Sequence, residues 1–427
     1  MRTIRCDGSP DRIADLVAAL DAALDGGPPV LPLVGTRQFS GVRARGADGA
    51  LGGPAAPGAC AGSDHAGSDH AGSADRAAPL PDPTSGTAAV LPTSGSTGEP
   101  KLVMLPAAAL RASALATQAR LGGPARWLLA LPAEHVAGLQ VIVRALLAGD
   151  APVVQDLRGG FRPDGFAAAA ARLGPGPRCT SLVPTQLLRL LDDGGPGLTA
   201  LRGFSAVLVG GAALDPPLRS RAEDAGVRLV STYGMTETCG GCVYDGLPLD
   251  GVRIGLDGAG PGDRPPGPGA TGRIVVAGPT LASGYLDDPA ATVAAFAGGR
   301  FRTGDLGRWS AGGRLEVLGR ADDVIVTGGE KVAPAAVERV LAAQPGVRAA
   351  CVVGVPDVEW GQVVVAAVVR DAPAADDRRL RAAVRESLGR AAVPRRLLDL
   401  PALPLRGIGK PDRAVITQMF DPDPTDE

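Results

Sequence analysis

The stretch AAVLPTSGSTGEPK (88–101) joins an apolar run to a loop of Gly, Ser and Thr that ends at a lysine. The apolar run predicts a buried strand, and the small residues predict a loop whose backbone N–H groups can converge on an anion. Lys101 adds a mobile point charge at the end of this loop. The stretch therefore predicts a phosphate-binding loop directly after a buried strand.

This loop differs from the phosphate loop of the common nucleoside triphosphatases. Their pattern requires Gly-Lys followed by Ser or Thr, whereas Glu99 and Pro100 separate Gly98 from the lysine here. A triphosphatase of that class is therefore disfavoured. The candidate phosphate-contacting residues are Thr93, Ser94, Gly95, Ser96, Thr97, Gly98 and Lys101.

Apolar, β-branched runs alternate with helical patterns along the chain after this loop. Residues 127–132, 204–211 and 227–234 are typical of strands, whereas 107–121 and 136–149 are typical of helices. This alternation predicts an α/β fold with mostly parallel sheets and flanking helices. In such sheets, ligands bind at the carboxyl ends of the strands.

The amino-acid composition of the chain changes in two places. Residues 46–87 are poor in large apolar side chains and contain the tandem AGSDHAGSDHAGS, which predicts a flexible insertion. From about Gly255, Gly/Pro-rich turns separate short strands, which predicts a small barrel-like or antiparallel subregion. We expect a large N-terminal domain over 1–319 and a small, mobile α+β domain over 320–427.

Composition excludes several classes of protein. The net charge of −2 includes no basic block, so we expect no nucleic-acid partner. The N-terminus lacks the apolar core of a signal peptide, and the longest apolar helical run, 136–148, is too short to span a bilayer. We therefore expect a cytoplasmic protein without membrane insertion, and the sequence leaves its oligomeric state open.

Lysine is rare here, with three residues against forty arginines. Lys101, Lys331 and Lys410 each lie in a glycine-bearing segment. Because a lysine is a compact charge on a flexible stem, this placement indicates mobile cations aimed at an anion. The alternative is a composition that depletes lysine and leaves the survivors in loops by chance.

Five motifs in this order resemble those of the adenylate-forming superfamily, which contains acyl-CoA ligases, luciferases and peptide-synthetase adenylation domains. The similarity runs from about residue 88 to 416. It implies an ATP-dependent enzyme that first makes an acyl-adenylate. The motifs are LPTSGSTGEPK (91–101), STYGMTETCGG (231–241), RTGDLG (302–307), GRADDVIVTGGEKV (319–332) and GIGKPDR (407–413).

The resemblance implies a role for each motif in binding ATP. The Gly/Ser/Thr loop would hold the β- and γ-phosphates, and Tyr233 would stack on adenine. Asp305 would accept the ribose hydroxyls with the help of Arg320. The backbone around the adenine would come from Gly210, Gly211, Ala212 and Gly234.

The resemblance also implies the reacting groups. Thr236 and Glu237 would lie near the α-phosphate, with Glu237 holding Mg²⁺, which prefers oxygen ligands. Lys410 would stabilise the negative charge that builds up in the transition state. His135 falls on the segment that gates the acyl pocket, although a lone histidine is more often structural. Gln140, on the helix after it, and Arg144 are candidate donors to a second substrate carboxylate.

A rotation of the C-terminal domain about Asp322 would carry Lys410 away after the first step. It would bring Gly328, Gly329 and Glu330 to the acyl-adenylate, where CoA attacks. Lys331 in the same loop is either a structural residue or a contact for a CoA phosphate.

The stretches CTSLVPTQLLRLL (179–191) and PLRGIGKPDR (404–413) are similar to the family of short actinobacterial 2-succinylbenzoate–CoA ligases of menaquinone biosynthesis. This similarity implies the activity of a 2-succinylbenzoate–CoA ligase (EC 6.2.1.26). Its alternatives are an AMP-forming CoA ligase for another aromatic or acyl acid and a non-catalytic nucleotide-binding homologue.

Overall fold

The computed structural model describes residues 1–33, 86–93, 101–257, 271–371, 376–406 and 410–420. Residues 94–100 of the predicted phosphate loop lie outside these ranges, as does nearly all of the insertion expected at 46–87. Its last residue, Thr87, already begins a strand. Within the described ranges, no helix is both long and apolar enough to cross a membrane.

A seven-stranded sheet lies at the centre of the chain's larger part. Five neighbouring strands are parallel and the last two join antiparallel at one edge, which confirms the predicted mostly parallel sheet. In spatial order the strands are Val153–Val154, Arg126–Leu129, Arg178–Leu182, Ala206–Val209, Leu229–Met235, Gly240–Tyr244 and Leu247–Pro248.

Helices cover both faces of this sheet because its central strands are apolar on both faces. Trp127 and Leu129 pack into one hydrophobic cluster, whereas Leu128 between them packs into another. The first cluster includes the helices Pro10–Leu24, Ala107–Leu121 and Val136–Leu147. The second includes the helices Pro163–Ala170, Pro184–Asp193, Pro196–Arg202 and Pro216–Asp224.

The predicted phosphate loop belongs to a second, five-stranded sheet. It connects two antiparallel strands in which Pro92 pairs with Leu102, and the Thr93 amide donates to the Lys101 carbonyl over 2.8 Å. The sequence prediction passed directly from the loop to the helix at 107 and missed the second strand of this hairpin. In spatial order the strands are Arg2–Arg5, Val30–Leu33, Thr87–Pro92, Leu102–Pro106 and Gly284–Tyr285.

The subregion expected after residue 255 is present as antiparallel strands. In the described ranges these strands form an open four-stranded sheet. The short helix Pro289–Ala295 and the 3₁₀ turn Ala297–Gly299 precede its third strand. The four strands are Arg253–Asp257, Thr271–Ala277, Arg300–Trp309 and Leu315–Arg320.

The chain after Asp322 forms an α+β unit with hydrophobic clusters on both faces of a five-stranded sheet. Its sheet strands are Ile325–Thr327, Glu330–Val332, Val347–Asp357, Gly361–Arg370 and Arg396–Asp399. Its helices are Pro334–Ala342, Asp377–Leu388 and Arg413–Gln418, and the strands Leu405–Arg406 and Lys410–Pro411 pair as a separate hairpin.

Close packing at Gly138 fixes the start of the helix Val136–Leu147. A Cβ atom there would lie 2.2 Å from the Pro132 carbonyl oxygen. Replacing a helical glycine with alanine ordinarily stabilises a helix by about 1 kcal/mol. We expect the reverse for Gly138→Ala, with the free energy of unfolding lowered by about 1–3 kcal/mol in denaturant titrations, because backbone must move to admit the methyl group.

Gly159→Ala is the matched control, because a Cβ at Gly159 would meet nothing within 4 Å. It should leave the free energy of unfolding close to that of the unmodified protein. A Gly138→Ala protein as stable as this control would contradict the close approach of helix and loop.

Candidate active site

Three predicted site segments lie at the same edge of the seven-stranded sheet. His135 comes shortly after the strand Arg126–Leu129, Gly210 directly follows Ala206–Val209, and Thr236 directly follows Leu229–Met235. Because these strands are parallel, their carboxyl ends meet at one edge. This is the edge at which open α/β sheets bind ligands.

Tyr233 and Asp305 connect this edge to the antiparallel sheet. The Tyr233 hydroxyl donates to Oδ2 of Asp305 over 2.8 Å. Burial and the Asp305 charge raise the pKa of Tyr233, so the phenol stays a protonated donor. Arg320, the strand partner of Asp305, places Nη1 3.8 Å from Oδ1 of that carboxylate and donates to Oδ2 of Asp322 over 3.1 Å.

Two predicted glycines allow backbone to pack tightly beside Tyr233. A Cβ on Gly210 would lie 2.2 Å from Oγ1 of Thr232, and one on Gly234 would lie 2.1 Å from the Gly240 carbonyl oxygen. A side chain at either position would push the strands apart. The structure thus places Gly234 in the strand that carries Tyr233, and Gly210, followed by Gly211 and Ala212, at the end of the neighbouring strand.

Glu237 lies in the 3₁₀ turn Thr236–Thr238, which is fixed by the Thr238 hydroxyl donating to the Gly240 carbonyl over 2.7 Å. The Tyr285 hydroxyl donates to Oε1 of Glu237 over 3.1 Å. Burial raises the pKa of Glu237, and the bond from Tyr285 opposes that shift. The turn therefore presents a single, oriented carboxylate.

Lys410 approaches this cluster from the C-terminal unit. Desolvation lowers the pKa of Lys410, although the residue keeps an exposed surface. The charges of Asp305 and Glu237 raise that pKa, while the charge of Arg320 lowers it. The charges that act on Lys410 therefore come from the antiparallel sheet, through Asp305 and Arg320, and from the 3₁₀ turn that carries Glu237.

The charge of Lys410 also acts on His135. His135 occupies the N-cap position of the helix Val136–Leu147. Burial and the positive charge of Lys410 lower the pKa of His135, so its imidazole is neutral at neutral pH. A neutral ring can orient a substrate by hydrogen bonding without adding a second buried cation.

The turn predicted to serve CoA lies elsewhere in the C-terminal unit. Gly328, Gly329 and Glu330 form the exposed turn of a hairpin. The Gly328 amide donates to the Trp360 carbonyl over 3.0 Å, and a Cβ on Gly328 would lie 2.5 Å from the Trp360 ring. Asp305 raises the pKa of Lys410, whereas the contacts described for this turn are with Trp360.

Gln140 and Arg144 are both buried and held by protein groups. The Gln140 amide donates to the Cys239 carbonyl over 2.8 Å. The Arg144 guanidinium donates to the Tyr244 hydroxyl over 3.2 Å and lies over the Trp127 ring. Each side chain also keeps one buried polar atom, Gln140 Oε1 and Arg144 Nε, for which the described structure offers no hydrogen-bond partner. Their role as donors to a substrate carboxylate therefore stays a prediction.

Sequence reasoning missed Tyr285 altogether. Its ring lies 4.8 Å from Nζ of Lys101, while its hydroxyl binds Glu237. No local motif marks it, because its position depends on the pairing of strands that are far apart in sequence.

The described residues contain no group of three or more His, Cys, Asp or Glu side chains that could hold a metal ion. Mg²⁺ often uses only one or two carboxylates and takes its other ligands from water and substrate phosphates. The single oriented carboxylate of Glu237 fits that mode of binding.

Comparison with known proteins agrees with this geometry. The family model described as AMP-binding enzyme matches residues 50–286, and the model described as AMP-binding enzyme C-terminal domain matches 336–410. A probable 2-succinylbenzoate–CoA ligase of Mycobacterium tuberculosis is 47% identical over 342 residues, which cover 78% of this chain and 84% of the relative. A sulfoacetate–CoA ligase of Cupriavidus necator is 38% identical, covering 79% and 68%.

Among solved structures, the o-succinylbenzoate CoA synthetase of Bacillus subtilis in complex with its acyl-adenylate intermediate matches with a TM-score of 0.67. The two proteins are 30% identical, and the match covers 79% of this chain and 69% of that one. With the family model covering more than half of the chain, the protein belongs to the family of AMP-binding enzymes.

Proposed function

We propose that this protein is an ATP-dependent, AMP-forming acid–CoA ligase that converts 2-succinylbenzoate to 2-succinylbenzoyl-CoA in menaquinone biosynthesis. The observation that carries the proposal is the 47% identity to a probable 2-succinylbenzoate–CoA ligase over most of both chains. The partners of the reaction are small molecules: the acid, ATP and CoA. A cytoplasmic location stays a prediction from the sequence.

In the first half-reaction a carboxylate oxygen of the acid attacks the α-phosphorus of ATP. The new oxygen–phosphorus bond forms as the bond to the β-phosphate oxygen breaks, and pyrophosphate leaves. Asp305 is proposed to accept the ribose hydroxyls beside Tyr233, and the loop ending at Lys101 to bind the leaving phosphates. Mg²⁺ held by Glu237 would neutralise phosphate charge.

Lys410 is proposed to stabilise the charge that develops on the α-phosphate and the leaving pyrophosphate. Its partly desolvated ammonium interacts with anions more strongly than a fully hydrated one. In the second half-reaction the CoA sulfur attacks the acyl carbon, AMP leaves, and the thiol proton passes to solvent. A rotation about Asp322 is proposed to replace Lys410 with the turn at Gly328 for this step.

The choice of acid is tested by measuring CoA-ester formation with 2-succinylbenzoate, sulfoacetate, ferulate and benzoate. Sulfoacetate is included because of the 38% identity to a sulfoacetate–CoA ligase. We expect the highest kcat/KM with 2-succinylbenzoate. A clear preference for any other acid would refute the proposed substrate and leave the family assignment intact.

Lys410→Ala should separate the two half-reactions. We expect acid-dependent ATP–pyrophosphate exchange to fall by about 100-fold or more, because a charge interaction specific to the transition state is lost. Thioester formation from supplied acyl-adenylate and CoA should stay close to that of the unmodified enzyme. An equal loss in both assays would contradict the two-conformation proposal.

The pH dependence of ATP–pyrophosphate exchange by the unmodified enzyme tests the role of Lys410 a second time. Because desolvation lowers the pKa of Lys410, its ammonium is lost at a lower pH than that of an ordinary lysine. Exchange should therefore decline as the pH rises through this lowered value. The slower exchange of Lys410→Ala should lack that alkaline decline.

Asp305→Asn should weaken ATP binding. A carboxylate accepts two hydroxyl donors more strongly than an amide does, so we expect the Kd for ATP to rise about 10-fold or more in calorimetry. Asp257→Asn is the control, because Asp257 pairs with Arg302 at a partly exposed position on the same antiparallel sheet. Unchanged affinity in Asp305→Asn would remove Asp305 from the nucleotide site.

A further inference from the structure

Tyr285 lies between two charged groups that come from distant parts of the chain. Its hydroxyl donates to Oε1 of Glu237 over 3.1 Å. The face of its ring lies 4.8 Å from Nζ of Lys101. One side chain therefore contacts both the carboxylate and the cation that the proposed function assigns to the phosphates of ATP.

Backbone hydrogen bonds fix Tyr285 to both of these segments. The Leu286 amide donates to the Leu102 carbonyl over 2.7 Å, next to Lys101. The Ala282 amide donates to the Glu237 carbonyl over 2.9 Å. The short segment 282–286 thus joins the hairpin of the phosphate loop to the turn that presents Glu237.

The ring of Tyr285 is held from its other side. Its backbone amide donates to Oγ1 of Thr292 over 2.9 Å, and the ring packs edge-on against Phe296 with centroids 5.7 Å apart. Gly284 is required beside it, because a Cβ there would lie 2.4 Å from a Thr292 methyl carbon. With 8% of its surface exposed, Tyr285 has little freedom to move.

The two contacts use different parts of the side chain. The hydroxyl donates to a carboxylate, whereas the negative face of the ring attracts a cation. Without the ring, Lys101 and Glu237 would be free to approach each other as an ion pair. Such a pair would occupy the two groups that must instead face phosphate and metal.

We propose that Tyr285 is a positioning residue that holds Glu237 and Lys101 apart and directs both toward the phosphates of ATP. The inference rests on the proposed function for its role in catalysis. Two parts of the side chain act separately, because the hydroxyl orients Glu237 by a hydrogen bond and the ring holds Lys101 by a cation–π contact.

Two substitutions separate these tasks. Tyr285→Phe removes the hydroxyl and keeps the ring, whereas Tyr285→Leu removes both. Calorimetry without acid or CoA measures the Kd of ATP, with and without Mg²⁺. We expect Tyr285→Phe to weaken Mg²⁺-dependent ATP binding about 10-fold and to leave Mg²⁺-free binding unchanged, because only the carboxylate loses a partner.

Tyr285→Leu should also weaken Mg²⁺-free binding, by about 2- to 5-fold, because Lys101 loses its ring contact. That additional loss should vanish in a Lys101→Ala background, since the ring then has no cation to hold. Equal Kd values of Tyr285→Leu and Tyr285→Phe for ATP without Mg²⁺ would overturn the inference. A difference between these Kd values that persists in the Lys101→Ala background would overturn it as well.

Tyr244→Phe is the matched control for losing a buried tyrosine hydroxyl. Its hydroxyl lies 2.9 Å from that of Thr117 and accepts from Arg144 over 3.2 Å, and the proposed function assigns neither of these residues to ATP. This variant should bind ATP like the unmodified protein under both conditions. If it weakens ATP binding as much as Tyr285→Phe does, the effect is a general one and the inference fails.

The proposed function is tested separately by acid-dependent ATP–pyrophosphate exchange in the unmodified enzyme. Absence of exchange would refute the ligase proposal. The Kd values of the Tyr285 and Lys101 variants for ATP would still decide the role of Tyr285. If exchange is present, Tyr285→Phe should lower its kcat about 10-fold with little change in the KM for the acid. A change confined to the KM for the acid would contradict a role at the phosphates.

Discussion

Asp305 is the group on which the arrangement of the site depends. It accepts the Tyr233 hydroxyl from the seven-stranded sheet and lies beside Arg320 on its own antiparallel sheet. Its charge also acts on Lys410 from the C-terminal unit. A single partly buried carboxylate thus relates three structural units.

The cations around Asp305 differ in kind. Arg320 is fixed by its strand position and by Asp322, whereas Lys410 lies at the end of a short hairpin. The proposed two-step reaction needs a cation in the transition state of adenylation and an open path for CoA afterwards. A lysine on a separate unit meets this need, while an arginine locked in a sheet does not. The rarity of lysine in this chain is consistent with lysine supplying the mobile charges and arginine the fixed ones.

Much of the fold followed from local patterns. The alternation of apolar strands and helices predicted the parallel sheet and a ligand site at the carboxyl ends of its strands, whereas the roles of His135, Gly210 and Thr236 came from the family resemblance. Dense turns after Gly255 predicted the antiparallel strands. These features depend on residues close together in sequence, so periodicity and turn chemistry reveal them.

Other features were beyond local patterns. The strand Leu102–Pro106 exists because it pairs with strands on both sides, one of which comes about 180 residues later. Tyr285 reaches Glu237 and Lys101 through that same pairing. The orientation of Gln140 toward the Cys239 carbonyl likewise depends on how its helix packs. Such contacts arise from tertiary structure, where strand propensity alone carries little information.

The central claim is that the acid is activated by adenylation, and isotope transfer tests it most directly. The acid is labelled with ¹⁸O in its reacting carboxylate and incubated with the enzyme, ATP and CoA, and the products are analysed by mass spectrometry. An acyl-adenylate predicts one ¹⁸O atom in AMP and none in pyrophosphate. Label in inorganic phosphate, or AMP without label, would contradict the account.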